Sequence, residues 1–187
     1  MSKAQLPQRR TLLIGLAAVG LVPLAGCMTK PLRPVNADGT YCYRIGKSYR
    51  PKLTCTPTAV PTDAVEAAVK RFEADPASLT VYVLRRRWAD ASMVVPVTVD
   101  GAGSMATIPE SLARLRLKPG EHRLSAQWEA RTVDINVQGR AGDLRVVELV
   151  GSGWAWGTSF SWEAVQADEV KSRAQASKLV ADLDLRR

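Results

Sequence analysis

The sequence predicts a mainly β protein: a β-sandwich of about seven to eight antiparallel strands, with an N-terminal amphipathic helix and a C-terminal helix. Three observations carry this expectation. From Leu79 onward, apolar residues recur at every second position, the period of a strand with one buried face. Turn signals separate the runs, at Asp100-Gly101, Pro119-Gly120 and Gly139 to Gly142. The runs themselves return about every ten residues, a spacing typical of sandwiches.

The elements follow in order. Residues 40–46 and 49–55 suit a short hairpin, and TPTAVPT is a proline-rich connection. Thr62-Asp63 is a good helix N-cap, and Val65, Ala68, Val69 and Phe72 follow at helical spacing until Asp75-Pro76 ends the helix. Its apolar stripe is expected to cover one side of a sheet. Leu79, Val81 and Val83 alternate, as do Val95, Val97 and Val99, which run into the Asp100-Gly101 hairpin signal. Met105 to Ile108 is a shorter strand, and Leu115 and Leu117 precede the Pro119-Gly120 turn. Leu124, Ala126 and Trp128 alternate beyond it, then Val133, Ile135 and Val137. Leu144 to Val150 is nearly continuous and apolar, and Thr158 to Val165 is expected to be the last strand. Asp168 to about Val180 has helical composition, and Asp182 to Arg187 forms a charged tail.

The first 26 residues have a different character. Lys3, Arg9 and Arg10 form a positive start, Leu12 to Val22 is apolar, and Leu24-Ala25-Gly26-Cys27 closes the run. That four-residue context is the lipobox of bacterial lipoproteins. A thiolate at Cys27 can take a diacylglyceryl group, and the new amine is then usually acylated with a fatty acid such as palmitate. A membrane-spanning helix would need about 20 apolar residues, and this run breaks at Pro23. The Arg9-Arg10 pair also resembles a twin-arginine export signal, although such pairs are common in signal peptides. Met28 follows the cysteine where many inner-membrane lipoproteins carry aspartate, so the expected location is the outer membrane, facing the periplasm.

Three segments are therefore expected: a lipoprotein signal peptide over 1–26, a flexible tether over 27–39 and one domain over 40–187. Removing the signal leaves 161 of 187 residues, enough to bury a core. The signal holds three of the 26 Lys and Arg and none of the 18 acids, so a net charge of +8 falls to +5. The cations look spread over the chain, which argues against a nucleic-acid partner. Anionic lipid or glycan, or another envelope protein, is the expected contact besides the membrane itself. Cys42 and Cys55 remain, and in an oxidising compartment such an isolated pair reads as a disulfide. Metal ligation would need more ligands than the lone His122 offers, and redox pairs usually sit two residues apart. No cofactor or metal site is expected.

TVYVLRRR, VPVTVDG and LRLKPGEHRLSA contain a VYV-x-R strand over Val81 to Arg85, a V-x-V-D-G hairpin over Val97 to Gly101 and a P-G-x-H turn over Pro119 to His122. In these elements the chain resembles small bacterial envelope lipoproteins that carry a conserved domain of unknown function. The resemblance spans roughly residues 78 to 170. It implies a transthyretin-like or carboxypeptidase-regulatory-like sandwich on a lipid anchor, and it supplies no catalytic residues.

His122 lacks a placed nucleophile, because Ser125 lies three positions along a strand and therefore on the other face. It reads better as a side chain that caps its turn. Gly151 to Gly157 holds Trp154 and Trp156, whose rings suit either a stacking platform for sugars and lipid headgroups or the sealing of one sandwich end. Sealing is the favoured reading. Arg85, Arg86, Arg87 and Trp88 form a basic run at a strand end, read as a solvated edge or as a contact for anionic lipid or polymer. Acid pairs such as Asp143 and Glu148 show no convergence in sequence. A non-catalytic envelope lipoprotein that binds or braces a partner is the leading expectation. An adaptor subunit of a secretion or envelope-assembly machine comes second, and a cell-wall hydrolase third.

Overall fold

The computed structural model describes residues 33–45, 49–86, 92–154 and 157–187. Strands β1 (Cys42–Ile45) and β2 (Lys52–Cys55) form an antiparallel hairpin with Cys42 opposite Cys55. That register puts both side chains on one face, and they are joined by a disulfide with the sulfurs 2.05 Å apart. Helix α1 (Asp63–Val69) starts where Thr62 predicts, its hydroxyl oxygen accepting from the Val65 N–H. Strand β3 (Leu79–Arg85) follows, and every one of its residues is buried.

Strands β4 (Val95–Val99) and β5 (Ser104–Thr107) are joined at Asp100-Gly101, whose φ angles are +53° and +72°. The pair of left-handed residues matches the twist of the flanking strands, which explains Asp-Gly there. Next come β6 (Ser111–Leu117), β7 (Gly120–Trp128), β8 (Arg131–Gly139), β9 (Leu144–Trp154) and β10 (Gly157–Val165). Helix α2 (Ala167–Ala176) and strand β11 (Lys178–Asp184) complete the described chain.

The larger strands form two sheets, one ordered β10-β9-β3-β6-β11 and the other β5-β4-β7-β8. Their facing sides share one core, in which Leu79, Val81, Val83, Leu115 and Leu117 meet Val95, Val97, Leu124 and Ala126. Each fully buried side chain of this size contributes about 1.5–3 kcal/mol. The far side of the five-stranded sheet is also covered. Tyr82, Leu84, Leu112, Val146 and Leu179 pack there against Val69 of α1 and Val170 and Ala174 of α2. The five-stranded sheet is thus the middle of three layers, which is why β3 is buried on both faces.

The β-sandwich expected from sequence is present, with three differences. Eleven strands occur among the described residues rather than seven or eight. Two pairings are parallel, β3 with β9 and β6 with β11. The second arises because α2 carries the chain from one edge of the sheet to the other, a helical crossover that returns β11 in the direction of β10, whereas β9 reaches β3 after the chain has passed through β7 and β8 of the other sheet. Finally, the C-terminal helix stops at Ala176, and the residues read as its end and as a charged tail form β11. Asp182 and Asp184 of that strand lie opposite Arg114 and Arg116 of β6, and Arg114 grips the Asp182 carboxylate with two hydrogen bonds of 2.9 and 2.8 Å. The charges belong to a strand edge.

Part of the expected tether is folded as well. The Asn36 carbonyl accepts from the Gly39 N–H, and the Gly39 carbonyl accepts from Val60. Gly39 has φ +81°, and a Cβ there would stand 2.7 Å from the Ala59 Cβ. Residues 36–39 therefore dock on the proline-rich connection.

Candidate functional site

The basic run at the end of β3 separates into unlike parts. Arg85 extends from the face of β3 that carries Val81 and Val83, so its side chain enters the core between the sheets. Only 1% of it is exposed. Its guanidinium donates to the Met93 carbonyl at 2.7 Å and the Thr107 carbonyl at 2.9 Å, and lies 5.0 Å from the centre of the Phe160 ring. This corrects the expectation of a solvated arginine open to ligands. The cation instead ties the start of β4 to the end of β5.

Arg86 faces the helix side. It donates to Glu148 at 2.7 Å and to Glu163 at 3.0 Å. Arg173 of α2 reaches the same Glu148 oxygen at 3.0 Å. The hydrogen bond from Arg86 to Glu148 raises the Arg86 pKa despite partial burial. Glu148 itself has no exposed side-chain surface. A carboxylate inside the apolar stretch Val146-Val147-Glu148-Leu149-Val150 was the sequence signal for this cluster, since a lone buried charge needs a partner. Arg87 and Trp88 lie outside the described residues.

His122 acts as the turn-capping side chain expected of it. Its Nδ1 is 2.7 Å from Asp100 Oδ2, and its Nε2 is 2.8 Å from the Lys118 carbonyl. The ring thereby bridges the β4–β5 and β6–β7 turns. Burial raises the Asp100 pKa, but the hydrogen bonds from His122 and the Arg123 N–H outweigh it and hold the carboxyl below its ordinary value. With an oxygen facing each ring nitrogen, the imidazole is engaged on both sides. Ser125, the register partner of Asp134 and Thr98, lines the same hollow of about 650 Å³ as Asp100 and His122, but the two ring nitrogens are taken by Asp100 and the Lys118 carbonyl.

Aromatic residues close the side where β8 meets β10. Trp128 packs edge-on against Phe160 with centres 5.1 Å apart, and its Nε1 donates to the Thr158 carbonyl. Trp162 donates to the Val133 carbonyl at 3.0 Å, across from one sheet to the other. Both rings are sealing elements. Trp154 ends β9, but only its backbone is described, and Trp156 lies outside the described residues; the choice between platform and seal concerns those two.

No family model and no curated protein matches this chain. Cys27, the expected lipidation site, lies outside the described residues. Among those described, no helix is long and apolar enough to cross a membrane, and no three His, Cys, Asp or Glu side chains form a metal-binding group.

The β1–β2 hairpin sits at the end of the sandwich where β3 finishes. Tyr41 and Tyr43 enter the common core, and the Thr54 hydroxyl lies 2.7 Å from that of Ser92. Burial, together with the nearby Glu110 charge, pushes the Tyr41 hydroxyl up to about 12. Beside it, Lys178 lies between Glu66 at 2.5 Å and Asp63 at 3.2 Å, stapling α1 to the first residue of β11. Burial would lower the Lys178 pKa, yet these carboxylates raise it overall.

Proposed function

We propose that the protein is a lipid-anchored lipoprotein of the bacterial cell envelope, held at the outer membrane and facing the periplasm, with a non-catalytic binding or bracing role. The observation that carries this reading is the lipobox Leu24 to Cys27 behind a basic and apolar leader. The Cys42–Cys55 disulfide supports it, because such bonds persist in oxidising compartments. The polar constellations favour binding over catalysis. His122 is held between Asp100 and a carbonyl, Glu148 is neutralised by two arginines, and Arg85 is enclosed by backbone carbonyls.

The test is a Cys27→Ser chain expressed beside the wild type. The wild type should incorporate labelled fatty acid and partition with detergent, whereas the variant should do neither. A variant that still carries label and still sediments with membranes refutes the anchor.

The adaptor reading draws on a separate observation. A hollow of about 600 Å³ lies between the edge strands β5 and β11, walled by Pro57, Pro61, Pro96, Met105 and Leu183. Crosslinking in intact cells followed by mass spectrometry distinguishes the two readings, since an adaptor would give one stoichiometric protein partner.

A further inference from the structure

The excess positive charge has one location. Between Cys27 and Thr62 there are six Lys and Arg and a single acid, Asp38, while residues 63–187 carry seventeen of each sign. The whole net charge of the mature chain therefore belongs to the segment that leads into and forms the β1–β2 hairpin. The cations themselves are spread over the chain, but only in this segment do they lack an equal number of acids. Arg33, Arg44, Arg50 and Lys52 are the described members of the group.

The fold gathers that segment at one end. Arg85 ends β3, and it lies opposite Ser111, which in turn lies opposite Lys178. The Arg85 guanidinium holds the carbonyls of Met93 and Thr107, so β4 begins and β5 ends there too. The hairpin closes this same end through Tyr41, Tyr43 and the contact of Thr54 with Ser92. The Arg33 backbone meets the Tyr41 hydroxyl, which brings the leading segment to the same place.

The large apolar side chains that remain exposed among the described residues are found here as well. They are Val35, Tyr49, Leu53 and Val94, with Tyr49 76% and Leu53 49% exposed. Val35 belongs to the leading segment, Tyr49 and Leu53 to the hairpin, and Val94 to the start of β4. The run Tyr49-Arg50-Pro51-Lys52-Leu53 thus presents an aromatic ring and an aliphatic chain interleaved with two cations. That composition suits a bilayer interface, where aromatic rings sit at headgroup depth and cations meet lipid phosphates.

We propose that this hairpin end is a docking surface for the anionic phospholipid headgroups of the leaflet that holds the anchor. The proposal rests on the lipoprotein reading, since it takes Cys27 as the point of attachment. Six residue steps separate Cys27 from Arg33, which limits that end of the domain to about 20 Å from the acylated residue. A surface so close to phosphates gains roughly fivefold in partitioning for each basic residue. Contact through Tyr49 and Arg50 would orient the sandwich with the β8–β9 turn, at its other end, directed away from the membrane.

The experiment places a photo-crosslinking amino acid in the full chain at Tyr49, at Leu53 or, as a control, at Ala141 in the β8–β9 turn. Each chain is reconstituted into vesicles of phosphatidylethanolamine with or without phosphatidylglycerol. Tyr49 and Leu53 should capture phospholipid at least about tenfold more than Ala141, and more so with phosphatidylglycerol. Arg50→Glu with Lys52→Glu should reduce capture at Leu53 several-fold without changing the melting temperature, because both side chains are exposed. Salt of about 1 M, where the screening length is about 3 Å, should act in the same direction. Equal capture at all three positions overturns the proposal, as does capture indifferent to phosphatidylglycerol and to the two substitutions. Crosslinks in intact cells that go to a glycan or protein instead of phospholipid also overturn it. Mass spectrometry of Cys27 in the same samples keeps the two readings apart. An acylated chain whose Tyr49 captures no lipid loses the docking surface and keeps the anchor, whereas an unacylated chain that captures lipid at Tyr49 does the reverse.

Discussion

Replacing Arg85 distinguishes a core cation from a surface one. In Arg85→Ala, the Met93 and Thr107 carbonyls lose donors at 2.7 and 2.9 Å. A buried acceptor left without a partner costs about 1–3 kcal/mol, so the pair costs about 4 kcal/mol. The lost packing on Phe160 adds to this, while relief of burying a charge subtracts from it. For a domain of this size each kcal/mol lowers the melting temperature by about 2–4 °C, so Arg85→Ala should melt roughly 8–16 °C early. Arg85→Lys keeps the charge but lacks the planar fork that reaches two carbonyls, and should fall between the variant and the wild type. The measurement is thermal unfolding followed by circular dichroism, with the disulfide intact. If Arg85→Ala melts within about 1 °C of the wild type, the enclosed cation is not holding β4 to β5, and the reasoning fails.

The remaining predictions concern other charged and covalent ties. Cys42→Ser with Cys55→Ser should cost roughly 3 kcal/mol, the entropy of the closed loop, in denaturant unfolding; native protein with both thiols free to alkylation would contradict the bond. Around Glu148 the prediction is asymmetric, because the carboxylate is fully buried while Arg86 and Arg173 can reach water. Arg86→Ala with Arg173→Ala strands a buried charge and should cost about 3–5 kcal/mol, whereas Glu148→Leu should cost far less. Tyr41, pushed up to about 12, stays neutral in the folded state after an unfolded tyrosine has begun to ionise near 10. Its contribution is complete below pH 10 and is lost as pH rises toward 12, so Tyr41→Phe should flatten the decline in stability over that window.

The period of two was readable wherever one face of a strand meets water or the second sheet, as in Val95-Val97-Val99 and Leu124-Ala126-Trp128. It was least informative at β3, where Thr80, Tyr82 and Leu84 form a second buried face under the helices. A strand buried on both sides carries no polar stripe to mark it as the middle of three layers. β11 was missed for the opposite reason. Its Asp182 and Asp184 made the segment look like a solvated tail, and only the register with Arg114 and Arg116 shows what those carboxylates face. Arg85 illustrates the same limit. Three consecutive arginines read as one basic patch, but alternating strand geometry sends Arg85 and Arg86 to opposite layers. The hairpin was legible because Cys42 and Cys55 signal their own pairing, although its position over one end of the sandwich depends on contacts of Tyr41 and Tyr43 far along the chain.

The parallel pairing of β11 with β6 also constrains when the chain can become native. β6 is synthesised more than sixty residues before Asp182, and until β11 arrives its outer edge and the side chains of Leu112, Ala113 and Leu115 lack their neighbour. The residues of α2 must be made before that last strand, and Lys178 must then find Asp63 and Glu66, residues made more than a hundred positions earlier. Contacts of such separation in sequence slow folding. A nascent chain therefore cannot complete the five-stranded sheet until translation has passed residue 184.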